Sequence, residues 1–114
     1  TTKGGSLTFF DPDADGLTGF KRYFADRYNL NLVRDPKKIT GSGDAIILTG
    51  SSPSAMQAAY SNLDEAGQAK VIFLLPSSLS SRERAEMRGT GAIVLDRPIA
   101  LESLESIVVA LKRR

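Results

Sequence analysis

The 114-residue sequence contains no cysteine and no histidine. Without cysteine there is no disulfide, no thiol nucleophile and no zinc–thiolate centre. Without histidine the commonest general base is missing, so a hydroxyl nucleophile lacks its usual activator. No apolar run approaches the roughly 20 residues that cross a bilayer, and no secretory leader is visible. No glycine-rich phosphate loop is present. Fifteen Lys and Arg against thirteen Asp and Glu leave a net charge of +2, too little to argue for nucleic acid. The expectation is a cytoplasmic domain without a resident cofactor or metal, which contacts neither DNA nor membrane.

What is present is globular in character. Hydrophobic residues make up 41% and charged residues 25%, which excludes a disordered chain, and the length suits one domain with one core. Residues 1–5 read as linker, with the single domain filling the remainder of 1–114. The start at Thr1 and the basic finish Lys112-Arg113-Arg114 lead us to expect a domain cut from a longer protein.

The central segment is Asp44 to Gly50, in which Ala45-Ile46-Ile47-Leu48 is unbroken by polar residues. A strand apolar on both faces belongs in the middle of a parallel sheet. In such sheets, binding and chemistry gather at the carboxyl ends of the strands, which makes Thr49 the residue to explain. A first strand spans Leu7–Phe10 and ends at the acidic loop Asp11-Pro12-Asp13. The stretch Asp11 to Gly16 has three acids, but Arg22 stands where a calcium loop needs its closing Glu, so it reads as a turn. A helix is expected from Leu17 to Tyr28, with Leu17, Phe20, Phe24 and Tyr28 at helical spacing as its core stripe and Lys21, Arg22, Asp26 and Arg27 as its polar residues. Leu30, Leu32 and Val33 give a second strand. The link Asp35–Gly43, with Pro36 and two glycines, holds one helical turn at most.

Ser52-Pro53 starts the next helix, whose apolar face is Met56, Ala59, Tyr60 and Leu63, and Gly67-Gln68 closes a turn. Val71–Leu75 and Ala92–Leu95 are the fourth and fifth strands. Between them, Ser80 and Glu83 have capping-box spacing and begin a polar helix that offers Ala85 and Met87 to the core. Ala100 to Lys112 is the last helix, with a stripe of Leu101, Leu104, Ile107, Val108 and Leu111. Strands alternating with helices predict an α/β, doubly wound, five-stranded parallel sheet in the order 2-1-3-4-5.

The acidic loop after the first strand, the DAIILTG run and Arg97-Pro98-Ile99 before an amphipathic helix resemble the receiver domain of response regulators. The resemblance implies a flavodoxin-like, CheY-like fold with the second helix shortened or absent. It also implies a site of five groups. Two neighbouring acids hold magnesium, an Asp ending the third strand accepts the phosphoryl group, a Ser or Thr ends the fourth strand, and a Lys precedes the last Pro. In this sequence Asp11 matches the first acid. Pro12 occupies the second position, with Asp13 displaced by one. Thr49 stands at the acceptor position and Leu75 at the hydroxyl position, with Ser77 nearby. Arg97 replaces Lys. The resemblance is thus to a degenerate pseudo-receiver.

Each of these residues also has a plainer reading. Asp11 and Asp13 suit loop capping, Thr49 suits a strand end, and Arg97 suits pairing with Asp11 or Asp13 across the site. The domain itself is then no enzyme. It is expected to dock within a hybrid histidine kinase or an atypical response regulator, against the kinase core or another receiver domain. Its expected face is Ser80 to Arg114, with Arg82, Arg84, Arg88, Asp96, Arg97, Glu102 and Glu105. The alternative is a ligand sensor in which Arg82, Arg84, Arg97 and the basic tail contact the phosphates of a second messenger such as cyclic di-GMP.

Overall fold

The computed structural model describes residues 5–11, 18–39, 41, 43–49, 53–75, 79–96 and 100–112, with side chains left out at 18–20 and 112. Five strands form the sheet: β1 (Ser6–Phe10), β2 (Asn29–Val33), β3 (Ala45–Thr49), β4 (Val71–Leu75) and β5 (Ile93–Asp96). Every pairing is parallel and the order is β2-β1-β3-β4-β5, as the alternation of strands and helices predicts. The helices are α1 (Thr18–Ala25), α2 (Pro53–Ser61), α3 (Glu65–Gln68), α4 (Ser81–Arg88) and α5 (Leu101–Lys112).

The period of two along the strands explains the two cores. On one face Leu7, Phe9, Ala45, Ile47, Ile72 and Leu74 meet Phe24 of α1 and Leu104, Val108 and Leu111 of α5. On the other, Phe10, Ile46, Leu48, Val71, Phe73 and Leu75 meet Met56 and Ala59 of α2 and Met87 of α4. Both faces of β3 and β4 are therefore sealed, and each fully buried Leu, Ile or Phe contributes about 1.5–3 kcal/mol.

Between β2 and β3 the chain makes a single 3-10 turn, Pro36–Lys38, as the Pro and Gly content of the link predicts. Asp35 caps the turn by accepting from the Lys37 N–H at 2.9 Å. Lys70 then fixes the link, its ammonium donating to the carbonyls of Gly41 and Gly43 at 2.9 and 3.0 Å. Gly43 has φ +100°, and a Cβ there would meet the Ser6 carbonyl oxygen at 3.0 Å, so only glycine fits comfortably beside β1.

Three local expectations are corrected. The first helix stops at Ala25, not Tyr28, because the N–H groups of Arg27 and Tyr28 both return to the Phe24 carbonyl and close the helix. Tyr28 is still buried, now from the turn into β2. The turn expected at Gly67-Gln68 is a one-turn helix, α3, whose N-cap Asp64 accepts from Gly67 N–H at 2.8 Å. Ala85 is exposed, and only Met87 is buried in α4. The capping box itself forms as its spacing predicts: Glu83 N–H donates to Ser80 Oγ at 3.1 Å, and Ser80 N–H donates to the Glu83 carboxylate at 3.0 Å. The Ser52 cap, Leu17 and the Phe20 side chain lie outside what the structure describes.

Candidate functional site

The parallel register brings the candidate residues to one rim. Phe10 of β1 is opposite Leu48 of β3, so Asp11 and Thr49 lie one step further along on neighbouring strands. Thr49 is opposite Leu74 of β4, and Leu75 is opposite Asp96 of β5. Asp13, Ser77 and Arg97 lie outside the described residues.

Asp11 is 4% exposed, and its backbone N–H is held by the Val33 carbonyl at 3.0 Å. A buried carboxylate needs a partner, because a lone charge in a low-dielectric interior costs several kcal/mol. Lys21 of α1 supplies one, with Nζ 3.2 Å from Asp11 Oδ2. The pairing of Arg97 with Asp11 or Asp13 falls outside the described residues. The cation described beside Asp11 is Lys21, one of the polar residues of α1, whose side chain is 20% exposed. It lies three residues before the buried Phe24 within α1, so helical spacing places it beside the inward stripe. A lysine beside the inward stripe of the first helix, with an acid ending the first strand, is the signal that could have found it.

Thr49 is 1% exposed, and its hydroxyl donates to the Leu74 carbonyl at 3.0 Å. The proton is thus committed to a backbone acceptor on the next strand, and no titratable base has been brought to the oxygen among the contacts of the described residues. Leu75 is fully buried in the core that Met87 of α4 also joins. The Asp11 carboxylate faces the Lys21 ammonium and the Thr49 hydroxyl donates to a carbonyl; among the described residues no group of three or more His, Cys, Asp or Glu side chains comes together.

The residues expected on the docking face divide into two groups. Arg84 and Asp96 come together as an ion pair, joining α4 to the end of β5, and the Arg84 Nε–H also donates to the Leu79 carbonyl at 3.3 Å. Arg82 pairs with Glu86 one turn along α4 at 3.7 Å, a solvated contact of little energetic weight. Arg88 and Glu102 are exposed. Glu105 belongs to another neighbourhood, since α5 packs on the face shared with α1. Glu105 accepts from the Tyr23 hydroxyl at 2.9 Å and pairs with Arg27 at 3.4 Å, while the Arg27 guanidinium lies 4.1 Å over the Tyr23 ring. The hydrogen bond to Glu105 raises the Tyr23 pKa, because the carboxylate favours the protonated phenol. Of the arginines considered for anion binding, Arg84 and Arg82 thus have acidic partners within the fold.

No helix among the described residues is long and apolar enough to cross a membrane. No protein-family model matches the sequence, and no curated protein does so significantly. Among solved structures, the chain is similar to the signal receiver domain of a protein from Vibrio parahaemolyticus assigned as a Luxo repressor. That match has 18% identity, covers 95% of this chain and 90% of the other, and has a TM-score of 0.64. At that identity the likeness speaks for architecture alone, and it agrees with the strand order and the two helical layers: the chain has the fold of a signal receiver domain.

Proposed function

We propose that this chain is a receiver-like regulatory domain of two-component signalling that does not accept a phosphoryl group and acts by docking to a protein partner. The partner is a histidine kinase core or another receiver domain, reached within a hybrid kinase or an atypical response regulator. The observation that carries the reading is Thr49. It occupies the position where the resemblance places the acceptor Asp, and its buried hydroxyl donates to the Leu74 carbonyl. A carboxylate there would be a competent nucleophile, whereas a threonine hydroxyl needs a base. The Lys21 ammonium beside Asp11 supports the same reading, because it supplies positive charge where the family uses a metal.

The docking surface in this reading is α4 with the end of β5. Helix α4 buries only Met87, and Arg82 and Arg88 stand in solvent. Elements with few buried contacts sit at the low end of local stability, where partner-responsive segments are drawn from. Incubation with acetyl phosphate and magnesium, read by intact mass, tests the chemical half. The wild type and Thr49→Asp should both stay unmodified, since Thr49→Asp leaves the Asp11–Lys21 pair and Pro12 in place. Gain of a phosphoryl group by the wild type contradicts the reading. For the docking half, Arg82→Glu with Arg88→Glu should weaken binding to the parent kinase core, while Lys37→Glu should not.

A further inference from the structure

We infer that the outer edge of β2 is a second docking site, one that takes an extended acidic segment of a protein partner as an added strand. This edge is remote from the α4 surface and does not depend on whether the domain is phosphorylated. The hydrogen-bond pattern sets its polarity. Asn29 N–H donates to the Gly5 carbonyl, and the Val33 carbonyl accepts from Asp11 N–H, so the odd-numbered residues of β2 bond to β1. The backbone N–H and C=O groups of Leu30 and Leu32 therefore point away from the sheet, as at any edge strand. Leu32 is 57% exposed and is the large apolar side chain left open among the described residues.

Beside this edge lies a groove of about 450 Å³ lined by Asn31, Leu32, Val33, Arg34, Asp35 and Lys38. Its opening follows from the link after β2, where a single 3-10 turn stands in place of a full helix. The charge of the groove names its occupant. Arg34, Lys37 and Lys38 are exposed and form no ion pair among the described residues, while the one acid, Asp35, is taken up in capping the turn. Alternation along β2 places Leu30 and Leu32 on one face, and Arg34 directly follows the last residue of the strand. A matching strand would set an apolar residue beside Leu32 and, two positions away, an acid beside Arg34 and Lys38. A second copy of the chain has no acid in its own β2, Asn29–Val33, to set beside Arg34 and Lys38, so it is disfavoured as the occupant. Nucleic acid would satisfy the cations but leave the outward amides and Leu32 without use, which favours a peptide.

The test uses the 114-residue chain and a labelled peptide in which Thr alternates first with Ile and then with Glu, followed by fluorescence anisotropy and amide NMR. The expected result is saturable binding, with shifts confined to Asn29–Lys38. Arg34→Glu with Lys38→Glu should weaken binding about tenfold or more, and a peptide with Lys in place of Glu should bind about as poorly. Leu32→Asp, at an exposed site that does not threaten folding, should also weaken it, as should N-methylation of alternate peptide amides. Equal binding of the Glu and Lys peptides, shifts centred on α4, concentration-dependent self-association through β2, or tighter binding of a single-stranded oligonucleotide at the same residues would each overturn the inference.

Discussion

At the carboxyl end of β1 and β3, polar groups are buried and matched inside the fold, with Asp11 against Lys21 and Thr49 against the Leu74 carbonyl. Along α4 and the edge of β2, by contrast, charged groups stand in solvent, and Arg34, Lys37 and Lys38 form no ion pair among the described residues. The same sheet thus has an interior rim that resembles a reaction site in position and a periphery that offers charge and backbone to a partner. The difference separates location from capability. A fold delivers residues to the place where receivers react, but here Asp11 faces Lys21 and Thr49 donates to the Leu74 carbonyl.

The comparison is broken most strongly by removing the cation from the rim. Lys21→Met leaves the Asp11 carboxylate without its described counter-charge and should cost about 2–4 kcal/mol in urea unfolding. The double variant Lys21→Met with Asp11→Asn should cost less than the sum of the single changes, since neither charge is then left alone. Additive costs would mean that the 3.2 Å contact carries no coupling. Next in size is Thr49→Val, which keeps the shape and removes the donor. It leaves the Leu74 carbonyl short of a partner and should cost about 1–2 kcal/mol. A periphery charge behaves differently. Arg82→Ala removes only a solvated i,i+4 pair, and a change below about 0.5 kcal/mol is expected.

The smallest effect concerns pH. The Glu83 carboxyl is held below its ordinary value, first by the Ser80 backbone N–H and then by the Ser80 hydroxyl. A depressed carboxyl contributes stability above its unfolded value and loses that contribution as pH falls through its folded value. Acid should therefore fray the first turn of α4 before it affects β3. The protection factors of the Ser80 to Arg84 amides, with the intrinsic pH dependence of exchange divided out, should fall in the wild type as pH is lowered from neutral. In Glu83→Gln, which can still complete the cap, that fall should vanish.

Much of this architecture was legible because single-residue patterns determine it. Apolar runs at Ala45–Leu48 and Val71–Leu75 place the two central strands, and alternation with helices orders the sheet. The Pro36 and glycine-rich link forecast the single turn, and the Ser80–Glu83 spacing forecast the cap. What was not legible depends on residues distant in the chain. Lys21 reads as a surface lysine until the sheet places Asp11 beside it, and the Thr49 proton is committed by a carbonyl 25 residues away. The capping Asp64 is a local signal for the one-turn helix α3, and Ala85 shows that one alanine in a polar helix says little about burial. The position of Glu105 against Tyr23 and Arg27 depends on which face α5 covers, which spacing within α5 does not decide.

The most direct test of the central claim, that the rim is matched internally and closed to phosphoryl chemistry, is an NMR titration of the 114-residue chain with magnesium and beryllofluoride, which mimics a phosphoryl group bound to an acceptor carboxylate. The account predicts no saturable shifts at Asp11, Thr49 or Leu75 and no coupled change in α4 or β5. Saturable shifts at Asp11 and Thr49 that spread to Ser81–Arg88 would contradict it.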